Sequence, residues 1–241
     1  MRFFITGISR GLGLALTKQC VLRGHEVWGV SRSDIPELGE GVRHTKCDLR
    51  LSSDIDRVYF AMAAEGYSPD VVVLNAAHIG EDFAGGIDPD VLRCTFEVNI
   101  LGNIRLLNLI QRAAGHKSII FFNISSVYSF RAITAGKLSY SASKCAMDML
   151  FDGLHTHHNR NGLHRFITLN LGPLKERCSP LNFFSKTYLN AAQKIILTAE
   201  KNSVRDALSY PLRAGLACRM TRLLPNRLFL GILNLIKAKI K

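Results

Sequence analysis

Arg2-Phe3-Phe4-Ile5-Thr6-Gly7-Ile8-Ser9-Arg10-Gly11-Leu12-Gly13 (RFFITGISRGLG, 2–13) decides the fold. A short apolar run, Arg2 to Thr6, passes into a glycine-rich turn, and Leu14 to Leu22 then takes up a helical period. Strand, glycine turn and helix in that order form the first βα unit of a nucleotide-binding fold. Gly7 permits the tight turn, Gly11 lets the backbone approach a pyrophosphate, and Gly13 allows helix and strand to pack closely. The helix start offers free N–H groups and a partial positive charge to phosphates.

Downstream, Glu26 to Val30 reads as a second strand ending in Ser31-Arg32-Ser33. An acid about 20 residues past the glycines would bind a ribose 2′-hydroxyl. Here Ser31 and Arg32 stand there, and Arg10 lies within the glycine loop, which suits a 2′-phosphate; Asp34 follows close behind. Val42 to Leu49 reads as a third strand with Asp48 at its end, and Ser52 to Gly66 as a helix capped by Ser52 or Ser53. Asp70 to Leu74 (DVVVL) is a continuous apolar strand, as expected when both faces are buried. It leads into the small residues Asn75-Ala76-Ala77, where a cofactor could pass close to the backbone. Asp90 to Ala114 reads as one long helix carrying Asn99 among apolar neighbours.

Lys117 to Ile124 is a further buried strand, with Ser125 and Ser126 at its carboxyl end, where ligands gather in an open α/β sheet. Ser139 to His155 then reads as helix and contains Tyr140-Ser141-Ala142-Ser143-Lys144. Residues four apart share a helix face, so the Tyr140 hydroxyl and Lys144 ammonium reach one region. A neighbouring ammonium favours the phenolate and lowers the tyrosine pKa toward the range of efficient proton transfer. His164 to Leu171 is another strand, followed by Gly172-Pro173. The alternation predicts an α/β fold, a doubly wound parallel sheet in a single domain over 1–241. Within it, about 1–175 would form the cofactor and catalytic core, and 176–241 substrate-side helices with a basic apolar C-terminal helical tail.

Composition fits this reading. The 241 residues are 47% hydrophobic and 21% charged, ordinary for a globular chain. The apolar run in MRFFITG is too short for a signal peptide, and no stretch reaches a membrane-spanning length, so the expected setting is cytoplasmic. Cys20, Cys47, Cys94, Cys145, Cys178 and Cys218 are scattered and read as free thiols. His155, His157 and His158 lack a carboxylate or cysteine partner at metal-site spacing, and no metal is expected.

The net charge is +12, of which residues 201–241 supply +8, with Asp206 their one acid. That is a near-neutral domain with a basic tail. Because the basic residues alternate with Leu and Ile, with Phe229 the one aromatic in the terminal helix, nucleic acid is not an expected partner. Past Pro225, Arg227, Asn234, Lys237 and Lys241 fall on one helical stripe, and Leu228, Phe229, Ile232, Leu235 and Ile236 elsewhere. Two readings of the tail stay open: packing on its own domain or in an oligomer, or lying peripherally on an anionic membrane.

The joint set TGISRGLG (6–13), Asp48-Leu49, Asn75-Ala76-Ala77, Asn99 before Gly102, NISS (123–126) and YSASK (140–144) resembles the short-chain dehydrogenase/reductase family, in its short single-domain branch. The motifs fall in family order over about residues 1–175.

The resemblance implies an NADP(H)-dependent oxidoreductase that reduces a carbonyl to an alcohol, or the reverse. Tyr140 would be the acid or base. Lys144 would tune it and hold the nicotinamide ribose, Ser126 would bind the substrate oxygen, and Asn99 would hold a relay water. Thr6, Gly7, Ser9, Arg10, Gly11, Leu12, Gly13, Ser31, Arg32, Asp48, Leu49, Asn75, Ala76, Ala77, Gly172 and Pro173 would line the cofactor, together with Tyr140 and Lys144. A small-molecule substrate and a homo-oligomer, dimer or tetramer, would be the partners. The family's Gly in the NNAG motif is Ala77 here, and its PGxxxT segment reads Leu171-Gly172-Pro173-Leu174-Lys175-Glu176. The alternative is a catalytically silent NADP(H)-binding sensor, against which the intact Asn99, Ser126, Tyr140 and Lys144 set argues.

Overall fold

The computed structural model describes residues 1–35, 39–83, 85–132, 134–159, 162–176, 186–201 and 207–231. In chain order these form β1 (Arg2–Thr6), α1 (Gly11–Leu22), β2 (Glu26–Ser31), β3 (Val42–Lys46), α2 (Ser52–Ala64) and β4 (Val71–Leu74). There follow α3 (Pro89–Phe96), a π-helical turn (Glu97–Gly102), α4 (Asn103–Ala113), β5 (Ile120–Ser126), α5 (Leu138–Asn159) and β6 (Arg165–Leu171). The short β7 (Leu174–Lys175) and β8 (Lys186–Thr187), then α6 (Tyr188–Glu200), β9 (Ala207–Tyr210) and α7 (Leu212–Leu223), complete the order.

Seven strands make one parallel sheet in the order β3-β2-β1-β4-β5-β6-β9, with β7 and β8 as a separate pair. The order reverses between β1 and β4, which is where a doubly wound sheet opens its crevice. Alternation along each strand sends side chains to two cores. Phe3, Ile5, Val71, Val73, Phe122 and Leu169 pack with Leu16, Cys20, Ile195 and Ala199 of α1 and α6. Phe4, Val72, Phe121 and Phe166 pack with Val58, Leu106, Met147 and Phe151 of α2, α4 and α5. With both faces covered, VVVL of β4 is buried throughout, as its unbroken apolar run requires.

Three readings are corrected. The helix expected over Asp90 to Ala114 is interrupted by the π turn Glu97–Gly102. Asn103 Nδ2 donates to Val98 O at 3.0 Å and Asn99 O at 3.4 Å, taking up carbonyls that a regular ladder would use. The start of α2 is not serine-capped: Leu51 holds the N-cap without a side-chain bond, and Asp54 in the first turn accepts from Asp48 N at 2.9 Å. Finally, α1 begins at Gly11, ahead of the Leu14 at which its periodicity becomes legible.

Cys20, Cys47, Cys94, Cys145 and Cys218 are free, and Cys178 lies outside the described residues. So do residues 232–241 of the expected tail helix, including Ile232, Asn234, Leu235, Ile236, Lys237 and Lys241. Its described beginning, helical at 226–231, docks on the domain. Arg131 donates to the carbonyls of Thr221 and Leu224 and to Asn226 Oδ1, and its guanidinium lies 3.9 Å from the centroid of buried Phe229. Among the described residues, no helix is long and apolar enough to cross a membrane.

Candidate active site

A parallel sheet places every strand's carboxyl end on one edge. That edge therefore gathers Thr6-Gly7, Ser31-Arg32, Asp48-Leu49, Asn75 to Ala77, Ser126 and Gly172-Pro173 from six different strands. At its centre the glycine turn is built as its spacing predicts. Gly7 has φ 77°, and a Cβ there would stand 2.9 Å from Ala76 Cα. A Cβ on Gly13 would stand 2.0 Å from Gly7 O and 2.8 Å from Asn75 Nδ2, so only glycine lets α1 approach the turn.

The turn is also tied from behind. Asn75 Nδ2 donates to Thr6 O at 2.9 Å and Gly7 O at 3.1 Å, while Thr6 Oγ1 accepts from Asn75 N at 3.0 Å and Ala76 N at 2.9 Å. Thr6, fully buried, and Leu12, packed in the core, thus shape the cradle with backbone and packing. The α1 N-terminus carries no side-chain cap and no acid in its first turn. Its free N–H groups and helix dipole fit a pyrophosphate. Ser9, Arg10 and Gly11 line this end of the helix, and Arg10 is exposed.

At the end of β2, Ser31 is buried and its hydroxyl donates to Ser33 O at 2.7 Å and sits 2.8 Å from His44 Nε2. That leaves exposed Arg32 as the group free to meet a ligand, with Asp34 drawn to Lys46 at 3.3 Å. Asp48 is gripped by Arg50, which reaches its carboxylate at 2.6 Å through Nη2 and holds its pKa below the ordinary carboxylate range. Leu49 is buried. Ala77, where the resembling family has glycine, is exposed. Gly172 N donates to Tyr210 O at 3.0 Å, pinning the end of β6 to β9, and Pro173 is exposed.

Tyr140, Lys144, Ser126 and Asn99 converge beside this crevice. Asp82 sets the start of α5, accepting from Ser139 N at 2.9 Å and Ser139 Oγ at 2.5 Å. The next residue, Tyr140, is half-buried, and Ser126 at the end of β5 is among the groups that act on its phenol. Ser125, one residue earlier, shares the sheet face of Asn123, and its hydroxyl is buried without a hydrogen-bond partner among the described residues.

Buried Lys144 donates from Nζ to Ile124 O at 2.7 Å and stands 5.8 Å from the Tyr140 ring centroid. Asn99, 2% exposed on the π turn, accepts from His78 N at 2.7 Å and donates to His78 O at 3.1 Å and Ser143 Oγ at 2.9 Å. It thereby bolts the loop after β4 to the turn of α5 between Tyr140 and Lys144.

The electrostatics differ from the expectation of a depressed tyrosine. Burial raises the Tyr140 pKa, and the nearby Ser126 side chain offsets this only in part. Burial brings Lys144 down to about 8, against an upward pull from Asp148. The ammonium donates to Ile124 O, and desolvation of the hydroxyl outweighs its influence on the phenol. Asp148, Asn103, Asp82 and His78 were not found by sequence reasoning. Each works through a contact distant in sequence, and only the position of Asp148 one helical turn past Lys144 was a usable signal.

Residues 2–176 match the short chain dehydrogenase family model. An uncharacterized oxidoreductase of Myxococcus xanthus is 28% identical over 243 residues, 93% of each chain. An NADPH-dependent pterin aldehyde reductase of Arabidopsis thaliana is 28% identical over 156 residues, 61% of this chain and 64% of the other. A short-chain dehydrogenase structure from Streptomyces avermitilis superposes with a TM-score of 0.78 at 21% identity, covering 100% of this chain and 99% of that one. With the crevice, the glycine cradle and the Tyr140 cluster on one sheet edge, the chain belongs to the short-chain dehydrogenase family.

Proposed function

We propose that the protein is an NADP(H)-dependent reductase of a small carbonyl compound, working reversibly on the alcohol. The observation that carries this is Tyr140 beside buried Lys144, whose ammonium stands 5.8 Å from the tyrosine ring centroid, on the edge that also holds the glycine cradle. When bound, the nicotinamide supplies or accepts the hydride. Tyr140 delivers its proton to the carbonyl oxygen. A pKa raised by burial keeps the phenol protonated, the form that reduction needs. Ser126 donates to the same oxygen as charge develops on it. Lys144, with a pKa of about 8, stays charged at neutral pH and would hold the ribose hydroxyls of the nucleotide. Asn99 fixes the distance between the loop after β4 and α5 through His78 and Ser143.

Preference for the phosphorylated cofactor rests on exposed Arg32 at the end of β2 and exposed Arg10 in the glycine loop, with Asp34, two residues past Arg32, engaged by Lys46. The NADPH dependence named for the Arabidopsis relative points the same way. For the tail, the docking of residues 224–229 through Arg131 favours packing on the domain over a membrane surface. A homo-oligomer remains part of the proposal.

Incubating the protein with NADPH and a panel of aldehydes and ketones, followed by the loss of cofactor absorbance, tests the reading. Carbonyl-dependent oxidation of NADPH in preference to NADH is expected. Tight NADPH binding with no turnover across aliphatic, aromatic and heterocyclic carbonyls would favour the silent sensor instead.

A further inference from the structure

Asp148 stands on α5 one turn beyond Lys144 and two beyond Tyr140, spacings that place it on the same helix face. Its Oδ1 accepts from Asn123 Nδ2 at 2.9 Å and its Oδ2 from Asn170 Nδ2 at 2.8 Å. A carboxylate only accepts, so both amides must present nitrogen to it. Asn123 belongs to β5 and Asn170 to β6, and Asn170 also donates to Ser129 Oγ at 3.2 Å. Both asparagines are 1% exposed, and they lie on the sheet face that otherwise carries Phe121 and Phe166. Polar groups that interrupt an apolar face are costly unless fully paired, so a carboxylate clamped from two strands is a built feature. A cavity of about 220 Å³ opens beside it, lined by Ser129, Asp148, Asp152, Asn170, Arg219 and Arg222 among others.

Lys144 needs such a feature. It is 4% exposed and its ammonium donates to the carbonyl of Ile124. One carbonyl dipole does not replace the hydration of a buried cation. We propose that Asp148 is a positioning residue of the Tyr140–Lys144 pair: held at both oxygens by Asn123 and Asn170, it is the counter-charge that keeps the buried Lys144 ammonium charged. This rests on Tyr140 and Lys144 being the reacting pair.

Among the described residues, the ionisable groups that line the cavity beside Asp148 are Cys145, Asp152 and His155 on α5 and Arg219 and Arg222 from α7, and Tyr128 from the turn after β5 stands near Tyr140. Asp82 binds Ser139 at the helix start. What β5, β6 and the π turn present here is neutral: Asn123, Ser125, Ser126, Thr168, Asn170 and Asn99. Asp148 raises the proton affinity of both Lys144 and Tyr140. Removing its charge lowers both, so the alkaline limb of carbonyl reduction moves to lower pH whichever group governs it.

The test uses full-length protein with Asp148→Asn and Asp148→Ser as neutral variants and Asp148→Glu as the variant that keeps the charge. Circular dichroism selects those that fold. The Lys144 side-chain NMR signal, assigned through Lys144→Met, is titrated in each, and the pH profile of carbonyl-dependent NADPH oxidation is measured alongside. The lysine midpoint should fall by about one pH unit in a folded neutral variant, with the alkaline limb following, and return in Asp148→Glu. An unchanged lysine midpoint in a folded neutral variant overturns the proposal, leaving Asp148 as packing alone. If wild-type protein turns over no carbonyl, the reductase reading fails, while the lysine titration still decides the role of Asp148.

Discussion

Replacing Lys144 by Met should make the cofactor-free protein more stable at neutral pH. Burial lowers the Lys144 pKa from 10.5 to about 8, so the folded state holds this proton less tightly than the unfolded chain does. That gap corresponds to a destabilisation of about 3 kcal/mol wherever both states are protonated, which is below about pH 8. Losing the bond to Ile124 O leaves a buried carbonyl unpaired and costs about 1 kcal/mol in return. The Met variant is then expected to gain about 2 kcal/mol at pH 7.

Between pH 8 and 10.5 the unfolded lysine keeps a proton that the folded one has released. Raising the pH therefore stabilises wild-type protein relative to the variant, and the sign of the difference reverses by about pH 10.5. Cys20 and Cys47, whose thiols burial pushes up to about 12, titrate alike in both chains and cancel from the difference. Urea unfolding of both chains at pH 6, 8 and 10 reads the effect as a change in midpoint at constant slope. A Met variant less stable at pH 7, or a difference that ignores pH, would refute the claim that the lysine is held in the fold at an electrostatic cost.

Two further outcomes follow from the cradle. Gly13→Ala drives a methyl into Gly7 O and should weaken NADPH binding more than tenfold while costing about 1–3 kcal/mol of stability, read by fluorescence titration and thermal melting. Arg32→Asp should weaken NADPH by ten- to a hundredfold with little effect on NADH, because it sets a like charge against the 2′-phosphate; equal losses for both cofactors would remove the argument for NADP(H).

The parts of this fold legible in the sequence were those written in local pattern. RFFITGISRGLG carries strand, turn and helix in adjacent residues, and VVVL and IIFF declare strands buried on both faces. The parallel sheet that results takes Ser126, Asn75 and Arg32 to one edge without further instruction. What stayed hidden depends on contacts between distant residues. The π turn accompanies bonds that join Asn99 to His78 and Ser143 and Asn103 to Thr6 and Ala76, none of which alters the helical periodicity of the segment. The clamp on Asp148 needs two asparagines from separate strands. The tyrosine pKa is a related case: spacing on a helix gives proximity to Lys144, but burial, which wins, is set by the whole fold.

Single-turnover reduction by Tyr140→Phe, compared with wild type on the same carbonyl substrate at saturating NADPH, tests the central claim most directly. The substitution removes one hydroxyl from a half-buried ring and leaves the glycine cradle untouched. The account predicts a rate lower by 10²–10⁴, about what loss of a general acid costs, with unchanged NADPH affinity and melting temperature. A Tyr140→Phe protein that reduces the substrate at near wild-type rate would contradict it.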